Sequence, residues 1–280
     1  MRTMRWAALS LLAAACSSGG APGTPAPGGA GLAYSMPTSG ALHYDVADTA
    51  IVTMDVMGQS VQVTVQSQAV IGLSLDRAGA GLAGTLTFES LSGEATNTMG
   101  PGMTVSDADK PGPTSLTIDP RGAITVTARP EMSSTLQQVL GSESYVHRMF
   151  VRLPGRAVTP GTSWTDTVSI SEPTAGMSTS VRTVVTSTLR GDTMVAGARL
   201  LVIDSKLATQ QKVSGTNQGV EIQQTITGNT TAVTLWDPAR GVLVERRESG
   251  ALTGSMDLPA MGMSGLPMNV RQSQIVRLRR

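Results

Sequence analysis

From about residue 41 to the C-terminus, the hydrophobic residues recur with a period of two. Val61, Val63 and Val65 alternate with Ser60, Gln62, Thr64 and Gln66. Successive side chains of a strand point to opposite faces, so this stretch is a strand with one buried and one wet face. Leu86 and Phe88 alternate with Thr85, Thr87 and Glu89, and Trp164, Val168 and Ile170 lie opposite Thr165, Thr167 and Ser169. Charged residues make up only 15% of the chain, so the wet faces are built from Thr, Ser and Gln rather than Lys and Glu.

Turn residues punctuate these runs. Gly58-Gln59 separates the β-rich run Ile51 to Val56 from the Val61 strand, which reads as a hairpin with Gly first in its turn. Asp119-Pro120-Arg121-Gly122 joins Leu116 and Ile118 to Ile124 and Val126. Pro pre-sets φ in such a turn, and Gly supplies a positive φ at its exit. Asp237-Pro238-Ala239-Arg240-Gly241 repeats that chemistry before Val242. The repetition leaves open two halves of similar plan, or simply a frequent hairpin turn used twice. Further strands are expected at Val181 to Leu189, Arg199 to Ile203, Val220 to Trp236, Val242 to Glu248 and Val270 to Leu278.

One segment has a different period. Met132, Leu136, Val139 and Leu140 fall at i, i+4, i+7 and i+8, the stripe of an amphipathic helix. Pro130 suits its first turn and Gly141 its C-terminal cap. One helix is expected, with an extension through Tyr145 to Phe150. The expected fold is mainly β: a large, curved antiparallel sheet or open barrel with one helix packed on a face. The helix stripe Met132, Leu136, Val139 and Leu140 is the candidate ligand-binding surface over the concave side.

The N-terminus is of another kind. Arg2 and Arg5 precede a short apolar run, Trp6 to Ala15, that ends in Leu11-Leu12-Ala13-Ala14-Ala15-Cys16. The run is too short to span a bilayer and reads as a signal peptide, residues 1–15. Small residues before Cys16 resemble the lipobox of bacterial lipoproteins, in which the Cys thiol carries a diacylglycerol. Ala13 stands where that motif usually has Leu, and the alternative is an ordinary secretory signal cut near Ala15. Ser17 to Gly31 is almost entirely Ser, Gly, Ala, Pro and Thr, too apolar-poor to fold. Residues 16–40 are therefore assigned to a lipidated Cys16 and a flexible tether, and 41–280 to a single β-rich domain. Ser17 after the Cys resembles the pattern of lipoproteins sent to the outer membrane, so the expected location is the cell envelope, facing the periplasm.

Few chemistries fit the rest. A net charge of +1 gives no basic face for nucleic acid, and Arg277, Arg279 and Arg280 read as a solvated strand end. His43 and His147 are the only histidines, and no Gly-x-Ser-x-Gly elbow accompanies either, so no catalytic residue is assigned. Cys16 is the only cysteine and the histidines have no ligand companions, so no metal or cofactor is assigned. The Asp107/Asp109 loop lacks the Gly and terminal Glu of a calcium loop. The 15 methionines are the unusual signal: Met256, Met261, Met263 and Met268 crowd one Gly/Pro-rich stretch, and Met99 and Met103 flank another. Thioethers can take Cu(I), contact lipid or a partner, or fill gaps in a core.

Three segments resemble an uncharacterised family of bacterial lipoproteins, a domain of unknown function. They are Leu153-Pro154-Gly155-Arg156-Ala157-Val158-Thr159-Pro160-Gly161-Thr162-Ser163-Trp164 and the turns at Asp119 and Asp237. The resemblance spans roughly residues 40–280 and implies fold only. The plan is also similar to periplasmic lipoprotein carriers, whose curved sheet and helix lid hold acyl chains. The expectation is a non-enzymatic, membrane-anchored lipoprotein that binds a lipid or other apolar ligand in its sheet. The alternative is a structural or assembly lipoprotein that docks on an envelope protein.

Overall fold

The computed structural model describes residues 30–279 except 38, 39, 57, 141–143, 175 and 218. The expected signal peptide, Cys16 and most of the tether lie outside the described residues. Long strands dominate: β1 (Ala30–Gly31), β2 (Ala41–Val56), β3 (Gln59–Ala78), β4 (Gly81–Asn97), β5 (Gly100–Val105), β6 (Thr114–Ile118) and β7 (Ile124–Ala128). Two helices follow, α1 (Ser134–Leu140) and α2 (Ser144–Met149). The second half comprises β8 (Ala157–Val158), β9 (Ser163–Thr174), β10 (Met177–Val195), β11 (Ala198–Asn217), β12 (Val220–Asp237), β13 (Val242–Leu258) and β14 (Met263–Leu278). At 20 residues each, β3 and β11 are about 65 Å long.

Twelve strands form one antiparallel sheet in the order β7-β6-β4-β3-β2-β14-β13-β12-β11-β10-β9, with β5 on β4; β1 and β8 pair separately. The chain enters in the middle with β2 and steps outward to β7. It then crosses as α1 and α2, re-enters at the opposite edge with β9, and steps back until β14 pairs with β2. The edges β7 and β9 do not pair, so the antiparallel sheet is open, within the expected choice of a large sheet or open barrel. Gly228 of β12 and Gly250 of β13 point to the concave side. A Cβ at Gly228 would lie 2.6 Å from Leu252 Cα, and one at Gly250 would lie 2.6 Å from Thr230 Cα. Absent side chains let the adjacent backbones approach closely there.

The expected single helix is two. Ser133 Oγ accepts the Leu136 N–H at 3.2 Å just before α1, which begins four residues after Pro130, so Met132 precedes the helix rather than belonging to it. The Met-rich stretches are hairpins, not loops. Met256 is in β13, Met263 and Met268 are in β14, and Met261 ends a single 3-10 turn, Pro259–Met261. Met99 sits in the β4–β5 turn. The first hairpin pairs Val56 with Gln59, so Gly58 is the second residue of a two-residue loop rather than the first.

Part of the segment expected to be tether, from Leu32, packs on the domain instead. Leu32 is fully buried, and Tyr34 packs on Trp236 and Phe150 with ring centroids 4.8 and 5.9 Å away. The two Asp-Pro turns, as expected, join β6 to β7 and β12 to β13, and both hold this segment. Tyr34 N–H donates to Pro120 O at 3.0 Å, and Ser35 Oγ–H donates to Arg240 O at 3.1 Å. Gly122 and Gly241 have φ of +78° and +65°, and a Cβ on either would strike Tyr34 or Ser35. Burial raises the Tyr34 hydroxyl far above its ordinary pKa, so it stays neutral and accepts the Val151 N–H at 2.8 Å.

Candidate ligand groove

The inward residues of neighbouring strands lie in rows across the concave face, fixed by strand register. One row is polar over almost its whole width. Ser187 of β10 faces Ser205 of β11, which faces Ala232 of β12, then Glu248 of β13. Glu248 faces Gln274 of β14, which faces Asp48 of β2, and Asp48 faces Ser67 of β3. Strand alternation puts all seven on the same face. Two bonds run along the row, and two reach Glu248 from residues beside it. Ser187 and Ser205 share a hydroxyl–hydroxyl bond of 2.8 Å, and Gln274 Nε2–H donates to Asp48 Oδ2 at 3.3 Å. Thr230 Oγ1–H and Arg246 Nη2–H donate to the two Glu248 oxygens at 2.9 and 2.5 Å. Arg246 and Glu248 are each only 7% exposed.

This belt divides the concave face. On one side the space is filled by the main core, which includes Tyr44, Leu86, Ile203, Trp236, Leu243 and Val276 together with Phe150 and Leu153. On the other side the sheet carries, among the described residues, two small apolar groups: Val185 and Leu207 with Val168, next to Ala232 of the row, and Ile226, Leu252, Met268 and Val270 with Val52, Met54 and Met256. The methionines that crowd the sequence stretch thus pack largely onto this end of the sheet, while Met261 and Met99 are exposed.

Helix α2 and the residues after it cross over the belt. Arg148 Nη1 lies 3.5 Å from Asp48 Oδ1 at one end. At the other end the Trp164 indole N–H donates to Arg152 O at 2.9 Å, and Trp164 pairs with Ser187 of the belt. Between this cover and strands β9 to β13 lies a groove of about 480 Å³. Small-molecule sites span about 300–1,000 Å³. Its sheet wall is an apolar strip of Val168, Ile170, Val181, Val185, Leu207 and Val213, interrupted by Thr179, Thr183 and Thr209. Its cover contributes Ser134, Gln137 and Gln138 of α1, His147 and Arg148 of α2, and then Phe150, Val151 and Arg152. Arg246 and Glu248 lie at its belt end.

The candidate residues of the helix stripe are placed differently. Leu136, Val139 and Leu140 are 1%, 4% and 8% exposed and belong to the main core, with Met132 packed partly buried beside them. They clamp α1 onto β3, β4 and β5. The groove meets the opposite, polar face of α1. The belt itself was missed from the sequence, although each strand carries its signal. Ser187 interrupts Val185 and Leu189, Ser205 interrupts Ile203 and Leu207, Ser67 interrupts Val65 and Ala69, and Asp48 interrupts Val46 and Ala50.

Other candidates fall elsewhere. His43 Nδ1 lies 2.7 Å from Glu89 Oε1 on the convex face. Asp107 and Asp109 serve their own loop: Asp107 Oδ1 accepts the Leu91 N–H at 2.7 Å, and Asp109 Oδ2 accepts the Ser106 N–H at 2.8 Å. A depression of about 640 Å³ crosses β14, β2, β3 and β4 on the convex face. Its arginines are already paired, Arg277 with Glu245 and Arg279 with Asp45, both at 2.8 Å. It offers no apolar strip comparable to the roofed groove.

No protein-family model matches the chain, and no curated protein matches it. Among the solved structures similar to it are two bacterial proteins. One is a Vibrio parahaemolyticus domain assigned to outer membrane lipoprotein sorting, at 10% identity and a TM-score of 0.16, covering 84% of this chain and 85% of that one. The other is a DUF1329 family protein from Desulfovibrio piger, at 8% identity and a TM-score of 0.17, with the same shares covered. Both likenesses are too distant to carry an argument about function.

Proposed function

We propose that the chain is an exported, lipid-anchored envelope protein that binds the apolar chain of a lipid, or of an acylated protein, in the groove between its helical cover and β9 to β13. Cys16 is its tie to the membrane, and no chemical step is assigned to it. The observation that carries the reading is the roofed groove of about 480 Å³ whose sheet wall is mostly aliphatic, with threonines set between the valines and leucine. An apolar surface left open to water is costly at about 25 cal/mol per Å², and a bound chain removes that cost. The polar belt stops the core from filling the groove.

The test is native mass spectrometry of the full chain, purified gently from a bacterial host. A non-covalent mass in the lipid range, released on denaturation, is expected. Val181→Trp, which fills the groove at a half-buried position, is expected to lose that mass while remaining folded. A wild-type chain that stays empty after incubation with lipid vesicles overturns the reading. The exposed Met99 and Met261 favour a second reading, docking of this rim on an envelope protein. Capture of one defined envelope partner by the wild type but not by Met261→Asp supports it.

A further inference from the structure

The groove ends in guanidinium groups rather than in a neutral wall. Arg148 and Arg152 hang from the cover and Arg246 rises from the sheet, all three lining the same cavity. Two carboxylates answer two of them: Asp48 lies beside Arg148 and Glu248 beside Arg246. Arg152, half-buried on the cover, forms no ion pair among the described residues. Arg246 is 7% exposed, and its Nε–H has no hydrogen-bond partner among the described residues. A buried charged donor without a partner is costly, because it has lost water and gained nothing in return. Among the described residues, the cavity lining thus has one guanidinium more than the carboxylates beside it, with an unused donor of Arg246 within a few strand positions of the apolar strip.

We infer that the ligand is an anionic amphiphile, its carboxylate or phosphate oxygens bound between Arg246 and Arg152 at the belt and its hydrocarbon chain laid along Val185, Val181 and Leu207. This rests on the groove reading above and specifies its ligand class. A guanidinium presents a fork of donors that matches such oxygens, and a charge-assisted hydrogen bond in a desolvated site is the stronger kind. A neutral alcohol of the same chain length would leave the Arg246 Nε–H unmet.

Titration calorimetry of the full chain with three probes of equal chain length tests this: palmitate, hexadecyl phosphate and hexadecanol, each below its micellisation concentration. The expected result is that at least one anion binds about tenfold or more tighter than hexadecanol. Whichever anion is preferred identifies the headgroup. Arg152→Gln is expected to remove most of that preference and leave hexadecanol affinity within about twofold. Arg246→Gln is expected to do the same. Because that change leaves Glu248 buried with fewer donors, the Arg152 variant decides if Arg246→Gln does not fold. Equal affinity for all three probes overturns the headgroup inference while the groove reading stands. Binding of none overturns both. An anion preference that survives in Arg152→Gln and in a folded Arg246→Gln places the headgroup elsewhere and overturns the assignment.

Discussion

The Arg246–Glu248 pair yields a prediction that separates stability from function. Both side chains are at least nine-tenths buried, and the Glu248 oxygens take donors from Arg246 and Thr230. Glu248→Leu strips Arg246 of its counter-charge. A guanidinium cannot lose its proton to escape, so it remains an unpaired buried cation. Breaking a buried pair in this way costs about 3–5 kcal/mol. At roughly 2–4 °C per kcal/mol for a domain of this size, the unfolding midpoint falls by roughly 6–20 °C. The double change Arg246→Met with Glu248→Leu removes both charges and leaves packed apolar groups instead. Such replacements are often neutral or stabilising, so the double variant should unfold within a few degrees of the wild type or above it. The assay is thermal unfolding followed by near-ultraviolet circular dichroism on the wild type, both single variants and the double. The physical account is refuted if Glu248→Leu unfolds at the wild-type temperature, since the pair would then not be desolvated. It is equally refuted if the double variant is no more stable than Glu248→Leu, since the cost would then not come from the unpaired charge. Restored stability with lost anion preference would show that the pair is kept for binding.

Leu136 is 1% exposed in the core, so Leu136→Ala should cost about 2–5 kcal/mol in chemical denaturation. Leu136→Asp should lift α1 off the sheet, seen as faster hydrogen exchange in residues 134–140. Glu245 gives a pH dependence of definite sign. Burial alone would raise its carboxyl, but hydrogen bonds from Arg277 and Arg247 outweigh burial and hold it below the usual carboxylate value. A depressed folded-state pKa contributes stability above the unfolded value of about 4.3 that is lost as pH falls through the folded one. Glu245→Gln should therefore be less stable than the wild type at neutral pH, with the difference closing as denaturation is repeated at lower pH.

The strands were readable because an antiparallel sheet with one wet face writes its period directly into the chain, as at Val61, Val63 and Val65. Both Asp-Pro turns were readable because their side-chain and backbone demands are local: Asp119 Oδ1 accepts the Arg121 and Ala123 N–H groups, at 2.9 and 2.7 Å. What they do in the fold was not readable. Each holds an N-terminal segment far away in sequence, and the Gly- and Pro-rich composition before residue 40 gives no sign that Leu32 is buried. The break between α1 and α2 was hidden for the opposite reason. Leu136, Val139, Leu140, Val146 and Phe150 are all apolar and all buried, so a stripe of buried residues runs through both helices without marking the join. The belt escaped because its members sit at 48, 67, 187, 205, 248 and 274. A single polar residue in an inward phase looks like noise in one strand. Only the register of seven strands turns those interruptions into a line.

That line explains how a sheet of this width keeps part of its concave face open. An inner surface apolar from end to end would be driven to close on itself or on its own helices, since burial is favourable wherever it is sterically available. The belt opposes this at a defined height. Polar groups of the row need hydrogen-bond partners: Ser187 and Ser205 bond to each other, Gln274 to Asp48, Glu248 to Thr230 and Arg246 beside the row, and Asp48 meets Arg148 of the cover. Core side chains cannot advance past the row without stranding those groups, and a chain entering from the far side meets polar atoms only at its end. The boundary that limits the core is thus the same one that sets the depth of the groove and the place where a charged headgroup would lie. A hydrocarbon ligand without such a headgroup would need only the apolar strip, and the unmatched donor of Arg246 would then be a cost without a return. The two arginine variants and the neutral probe separate these cases.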